Sequence, residues 1–350
     1  MFITGKIFEA VLISLIITIV CVPPGIWLAR RAKLMDYPGA EPHKDHSKPT
    51  PMAGGIILVL ALVISGTISG IWNDVDVLST FIAALAIFAF GLWDDLSKLR
   101  PILKLMGQIL GAVILIRFGV FVQIFESPEF FISLPESIAR GLDIFVTILW
   151  LVGMTNAFNF IDSMDGLAVG IGGVAAGFFV LFSLDSGQVG LVTFSALLVA
   201  MCMGLYYFNS HPARLFLGDA GAQVLGFWLA SLAIVFNPQD VNQMSSWFAT
   251  VLLLGVPVFD MVLVVVSRLH HRQPIYSSAR DHTYHRLRKL GLDPNKAVLL
   301  MHIAAVVLGC LAVIALNQPP IFANTIFATV VLISLGLIMF LEISFKAELE

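Results

Sequence analysis

The sequence contains few charged residues, few cysteines and no excess of basic residues. Only 12% of its 350 residues are Asp, Glu, Lys or Arg, against about 25% in an ordinary soluble domain, which excludes a soluble globule. Cys21, Cys202 and Cys310 lie far apart in apolar stretches, which excludes a disulfide framework and a thiolate metal site. The 20 Lys and Arg are outnumbered by 23 Asp and Glu, so nucleic acid is not an expected partner.

Long apolar runs dominate the chain, of which 58% is hydrophobic. Because a helix that crosses a bilayer needs roughly 20 apolar residues, these runs predict an all-α, polytopic integral membrane protein with residues 1–350 forming a single membrane domain. About eleven transmembrane helices are expected, at residues 7–29, 53–72, 77–93, 102–123, 142–160, 166–184, 189–208, 221–236, 246–267, 297–316 and 320–343.

The basic residues predict the orientation of the chain in the membrane. With an odd number of spans, the loops after the odd-numbered spans share one side with the C-terminus. On that side lie 17 of the 20 basic residues, all except Lys6, Arg117 and Arg140. The positive-inside rule therefore predicts an outside N-terminus and a cytoplasmic C-terminus. The predicted cytoplasmic loops are 30–52, 94–101, 161–165, 209–220 and 268–296.

Asp94 and Asp95 stand side by side in GLWDDLSK, where an apolar run ends. A carboxylate at that depth is costly unless a cation or a water-filled cleft receives it. One of the two could act as a base while the other binds Mg²⁺. The alternative is a solvated helix end with Lys98 as the counter-ion.

Four polar residues recur at every third position of NAFNFIDSMDG: Asn156, Asn159, Asp162 and Asp165. On an ideal helix this row drifts by about 60° per step, so the first and last members would face opposite ways. We therefore expect a tightened or broken segment that brings them together, with a cation or a donor-rich ligand between the two aspartates.

Asp219 lies between Gly218 and Gly221 in FLGDAGA, where the chain returns to the membrane. Glycines free the backbone and allow a phosphate or a metal ion to approach closely. An ordinary turn would have the same composition, so the motif alone leaves both interpretations open.

The segment SRLHHRQPIYSSARDHTYHRL places His282 and His285 beside Arg280 and Arg286. Zinc is disfavoured because no Glu lies between the two histidines and no Cys is near. A cationic cluster that holds phosphate oxygens fits better, although basic residues here also satisfy the positive-inside rule.

Two further residues call for an explanation. Lys48, in the first cytoplasmic loop, could help to neutralise an anionic head group at the membrane surface. Asp260 lies near the middle of an apolar run and needs a partner that the sequence does not identify.

Five segments thus supply acidic, amide and basic side chains, and what they share is suitability for Mg²⁺ and phosphate. The segments MDYPGAEPHKDHSKPTPMAGG, GLWDDLSK, NAFNFIDSMDG, FLGDAGA and RDHTYHRL, in that order, resemble the polyprenyl-phosphate N-acetylhexosamine-1-phosphate transferases. The resemblance extends from Asp36 to Leu287.

The resemblance implies a reaction and its partners. Undecaprenyl phosphate would attack the sugar-bound phosphorus of a UDP-N-acetylhexosamine, giving undecaprenyl-diphospho-sugar and UMP. It implies Mg²⁺ as cofactor, with Mn²⁺ as a substitute, a site on the cytoplasmic face of a bacterial inner membrane, a role in cell-envelope polysaccharide synthesis and a homodimer.

The motifs and the resemblance together predict three sets of site residues. The catalytic set is Asp94, Asp95, Asp162 and Asp165. The substrate-binding set is Lys48, Asn156, Asn159, Arg280, His282, His285 and Arg286. The metal ligands are Asp219 and Asp95.

Two alternatives stay open at this point. The branch that transfers GlcNAc-1-phosphate usually has HxHH, where this chain has Tyr284 in place of the middle His. The phospho-MurNAc-pentapeptide branch shares the spacing of Asp94, Asp95 and Lys98 but not the His loop, so GlcNAc is the first expectation. An ion-coupled transporter would instead place its ionisable groups near the midplane between repeats.

Overall fold

The computed structural model describes residues 2–38, 48–127, 132–238, 241, 243–273 and 282–346, and these are helical apart from two short strands and the connecting turns. The helices are α1 (Phe2–Arg31), α2 (Gly54–Ser69), α3 (Val75–Ser97), α4 (Pro101–Arg117), α5 (Glu136–Ile161), α6 (Leu167–Asp185), α7 (Val189–Asn209), α8 (Gly218–Val235), α9 (Gln243–Leu253), α10 (Gly255–His270), α11 (Thr283–Lys289), α12 (Pro294–Leu316) and α13 (Pro320–Lys346), with a 3₁₀ turn at Ile71–Asn73. The strands β1 (Met35–Asp36) and β2 (Thr50–Pro51) pair antiparallel.

The all-α polytopic class is confirmed. Each of the eleven predicted runs contains a helix, but within the described residues only eight helices are long and apolar enough to cross a membrane, or nine if α9 and α10 form one span. The two predicted spans that are missing from this count are α2 and α4, because both helices are short. Helix α2 has 16 residues, and α4 has 17 and carries Lys104 and Gln108 in its first half. The count of eleven and the orientation stay predictions.

One expected helix is broken. Residues 246–267 were expected to form a single span, but α9 and α10 meet at an angle of 73°. Pro257 lies three residues after the break at Leu254. Because proline has no N–H and its ring clashes with the carbonyl of the fourth residue before it, here Leu253, the helix cannot continue straight through this position.

Helix α8 lies at the centre of the bundle, where it contacts α2, α3, α5 and α6. Its large side chains, such as Phe227 and Trp228, are fully buried. Peripheral helices instead expose apolar side chains, as Ile321 and Leu332 of α13 do with 79% and 69% of their surface. Such a surface is suited to lipid rather than to water.

The first turn of α8 is wedged between α2 and α3. The N–H groups of Gly54 and Gly55 donate to the carbonyls of Phe216 and Leu217, each at 3.0 Å. A Cβ atom on Gly55 would lie 2.7 Å from the backbone nitrogen of Gly221. The two glycines that end the first cytoplasmic motif therefore let two backbones touch.

The predicted loops meet at one end of the bundle. The end of α3 and the start of α4 lie beside the end of α5 and the start of α8, as the bonds described below demonstrate. Met52, directly after β2, joins them through a bridge to Phe216. Exposed aromatic residues close to this end, among them Trp27, Trp93 and Tyr207, are typical of a membrane interface.

Candidate active site

Asp219 is the centre of the candidate site, and its carboxylate contacts two helices besides its own. The ammonium group of Lys104 on α4 donates to its Oδ2 at 2.9 Å, and the side-chain amide of Asn159 on α5 donates to its Oδ1 at 2.9 Å. Three distant segments of the chain therefore meet on one carboxylate.

Lys104 also links Asp219 to Asp94. Asp94 is buried at the end of α3, where its Oδ1 accepts the N–H of Leu99 at 2.6 Å and its Oδ2 forms an ion pair with Lys104. The sequence suggested Lys98 as the counter-ion, but the residue paired with Asp94 is Lys104. A signal for Lys104 was present, because it is a cation inside the apolar run PILKLMGQIL, where a charge is costly without a partner.

Asp95 caps the first turn of α8. Its two oxygens accept the backbone N–H groups of Asp219 at 2.8 Å and Ala220 at 3.1 Å. A carboxylate is favourable at this position because the first N–H groups of a helix have no partner within the helix. Gly218 precedes them with φ +71°, a conformation that glycine adopts easily. Asp95 thus fixes the backbone of Asp219, and its role as a metal ligand stays a prediction.

Asp162 is the first residue after α5, which ends at Ile161, so the polar row does leave the helix. Its carboxylate is partly buried, and no donor or cation in the described part of the chain is paired with it. Burial, together with the charges of Asp219, Asp95 and Asp165, raises the pKa of Asp162 well above its ordinary value. A cation in this cluster would remove that penalty.

The two outer members of the polar row point elsewhere. Asp165 pairs with His211 Nδ1 at 2.9 Å and accepts the N–H of Ala213 at 3.2 Å, both in the segment between α7 and α8. Asn156 lies one turn below Asn159 and exchanges hydrogen bonds with Gln108. Their predicted roles in catalysis and substrate binding stay predictions.

The deep carboxylate of Asp260 has its partner in the histidine loop. His282 Nδ1 lies 2.9 Å from Asp260 Oδ2, and the N–H of Thr283 donates to Oδ1 at 2.6 Å. The His282 ring also packs at 5.7 Å from the ring of Phe160, two residues before Asp162. The end of α5 therefore brings this loop next to the aspartate cluster.

Four predicted site residues remain. His285 contacts Tyr284 beside His282. Arg286 is buried and forms an ion pair with Glu342 of α13, which is a contact between helices. Lys48 is exposed two residues before β2, and Arg280 lies outside the described residues.

Comparison with known proteins places the chain in a family. The model of the glycosyl transferase family 4 matches residues 77–237, a range that contains Asp94, Lys104, Asn159 and Asp219. A protein of Latilactobacillus sakei named phospho-N-acetylmuramoyl-pentapeptide-transferase is 30% identical over 300 residues, 80% of this chain and 90% of that protein. The chain belongs to glycosyl transferase family 4.

Other relatives of this family 4 member carry names of the GlcNAc branch. A protein of Bacillus subtilis, "Probable undecaprenyl-phosphate N-acetylglucosaminyl 1-phosphate transferase", is 28% identical over 88% of this chain and 85% of its own length. A decaprenyl-phosphate N-acetylglucosaminephosphotransferase of Mycobacterium tuberculosis is 28% identical over 83% and 78%. The predicted resemblance is confirmed, and the chain is a multi-pass membrane phospho-sugar transferase rather than a transporter.

Proposed function

We propose that this enzyme transfers GlcNAc-1-phosphate from UDP-GlcNAc to undecaprenyl phosphate. The observation that carries the proposal is that Asp94, Asn159 and Asp219 meet at one place. Lys104 contacts both aspartates, and Asn159 donates a hydrogen bond to Asp219. We place this site at the cytoplasmic face of a bacterial inner membrane, where one substrate is reached from water and the other from lipid. The product would serve cell-envelope polysaccharide synthesis.

The reaction forms one P–O bond and breaks another. An oxygen of the lipid phosphate attacks the sugar-bound phosphorus, and the bond from that phosphorus to the oxygen of the departing UMP breaks. Phosphoryl transfer depends mostly on positioning and on neutralising the charge of the phosphate oxygens. Lys104 is suited to hold those oxygens, and Asp94 and Asp219 hold its ammonium group in place. We expect direct attack, without a covalent enzyme intermediate.

The carboxylates present are suited to Mg²⁺ that binds together with a diphosphate. Among the described residues, no three acidic, His or Cys side chains already surround one point. Mg²⁺ commonly takes only one or two carboxylates and completes its shell with phosphate oxygens and water. Asp219 and Asp162 would hold the ion, since they belong to one cluster and the Asp162 carboxylate has no paired cation among the described residues. Bound Mg²⁺ would neutralise charge on the phosphate oxygens.

The identity of the sugar donor is the most specific part of the proposal. Relatives named for GlcNAc transfer match most of this chain, but the relative named for MurNAc-pentapeptide transfer is slightly more similar in identity. Phospho-MurNAc-pentapeptide transfer is therefore the second candidate. The His282–Thr283–Tyr284–His285 segment, which lacks the middle His of HxHH, favours neither branch fully.

The test is an assay on purified protein with labelled UDP-GlcNAc, undecaprenyl phosphate and Mg²⁺. We expect UMP release that stops with EDTA, returns with Mg²⁺ or Mn²⁺, and is lost in Asp219→Asn. Parallel reactions with UDP-MurNAc-pentapeptide and UDP-GalNAc rank the donors. Folded protein that releases no UMP from any of these donors would refute the proposal, and faster turnover of UDP-MurNAc-pentapeptide would favour the second candidate.

A further inference from the structure

Three amide side chains, two of them buried and one half-buried, lie one helical turn deeper in the bundle than the candidate site. We call them the amide layer, and the three residues above them the site layer. The site layer is Lys104 on α4, Asn159 on α5 and Asp219 on α8. The amide layer is Gln108, Asn156 and Gln223 on the same three helices. The layers are separated by three or four residues on each helix, about 4.5–6 Å along its axis.

The amide layer forms one continuous network. Gln108 Nε2 donates to Asn156 Oδ1 at 3.1 Å and to Gln223 Oε1 at 3.2 Å. Asn156 Nδ2 returns a bond to Gln108 Oε1 at 2.8 Å and gives another to the carbonyl of Val152 at 2.8 Å. Both N–H groups and the oxygen of Gln108 are therefore used. Gln108 and Gln223 are each only 3% exposed.

The two layers join the helices in complementary pairs. In the site layer, Asp219 ties α8 to α4 and to α5. The amide layer closes the remaining side, because the reciprocal bonds between Gln108 and Asn156 tie α4 directly to α5. Reciprocal bonds between two amides hold only one register of the helices. A rotation or a shift of α4 that moved Lys104 away from Asp219 would break them.

From this arrangement we infer that Gln108, Asn156 and Gln223 are positioning residues for the transfer reaction. They hold α4 and α5 in the register that places Lys104 Nζ and Asn159 Nδ2 on Asp219. The inference rests on the proposed function. It gives Asn156 a positioning role instead of the substrate contact expected from the sequence. Small displacements of positioned groups have large effects on rate, because the reacting geometry is lost before binding is lost.

The test uses Gln108→Met and Gln223→Met, since methionine has nearly the length of glutamine but cannot replace its hydrogen bonds. We expect kcat to fall at least about tenfold while KM for UDP-GlcNAc stays within about twofold. Because the network acts as a unit, the fold decrease in kcat of the double variant should be no more than about twice that of the worse single variant.

Trp150→Phe is the matched control. It removes the 3.0 Å hydrogen bond from Trp150 Nε1 to the carbonyl of Ala230, which also joins α5 to α8 but lies eleven residues, about 16 Å, along α8 from Asp219. We expect its kcat to stay at the wild-type value even if its melting temperature falls. Folded Gln108→Met and Gln223→Met proteins with wild-type kcat would refute the positioning role, whatever their melting temperatures. Wild-type protein without turnover would instead refute the proposed function.

Discussion

At the scale of single residues, Lys104 joins parts of the site that are far apart in the chain. Its ammonium group contacts both Asp94 and Asp219, which are separated by more than a hundred positions. Two carboxylates near a membrane boundary hold the ammonium group of such a lysine in one position. In the proposed reaction its charge is suited to hold phosphate oxygens.

Replacing Lys104 with Met should therefore lower kcat/KM by about 10²-fold or more, because the charge on the phosphate oxygens would no longer be neutralised. Arg117→Met is the control, since Arg117 is a basic residue at the other end of the same helix and should leave the rate unchanged. UMP release measures both. Near wild-type activity in Lys104→Met would contradict the role given to this residue.

The contact between Asp260 and His282 is the second feature at the scale of single residues. The carboxylate accepts from His282 Nδ1 and from the N–H of Thr283, so it fixes both the ring and the backbone at the start of α11. The partner of one ring nitrogen decides which nitrogen carries the proton. Asp260 thus keeps a proton on His282 Nδ1 and leaves Nε2 as a hydrogen-bond acceptor.

Asp260→Asn keeps the shape of the side chain but offers an amide N–H to Nδ1, which reverses the tautomer of His282. We expect kcat to fall at least about tenfold for this reason. Measured UMP release in Asp260→Asn, His282→Ala and the double variant gives the check. If Asp260 acts through His282, the double variant is no slower than His282→Ala, and additive losses would show that it acts otherwise.

At the scale of elements, the start of α8 is the part of the fold on which the site depends most. Backbone contact with α2 and the Asp95 cap together determine where Asp219 points. The space between α2 and α8 admits no side chain at Gly55, where an added Cβ would come within 2.7 Å of Gly221 N and 2.9 Å of Ala220 Cβ.

Gly55→Ala should accordingly lower the free energy of unfolding by about 1–3 kcal/mol, because the helices must separate to admit the methyl group. Gly177→Ala is the control within α6, where an added Cβ meets nothing within 4 Å. That variant should be neutral or more stable by up to about 1 kcal/mol, since alanine favours helix. Thermal unfolding in detergent compares them, and equal stabilities would contradict this account of the packing.

At the scale of the whole molecule, cysteine labelling tests the predicted orientation of the chain in the membrane. In a variant without Cys21, Cys202 and Cys310, single cysteines can be placed at the exposed positions 73, 97, 273 and 317. We expect an impermeant maleimide to label positions 73 and 317 in intact cells and positions 97 and 273 only after permeabilisation. The reverse pattern would invert the proposed orientation.

Hydropathy and spacing predict neither the break between α9 and α10 nor the partner of Asp260. Hydropathy detects that residues 246–267 are apolar, but it does not detect the break at Leu254 or the 73° angle between the two helices. Likewise, the pairing of Asp260 with His282 joins a helix interior to a loop 22 residues away, and spacing alone does not predict such a contact.

The sequence by itself determined the all-α membrane class, the positions of the apolar runs and the acidic motifs, because these depend on composition and local periodicity. It also indicated Asp94, Asp162 and Asp219 as parts of one site. The tertiary structure decided which side chains meet: Lys104 instead of Lys98 on Asp94, and Arg286 on Glu342. Those contacts depend on how whole helices pack, which no local pattern of residues records.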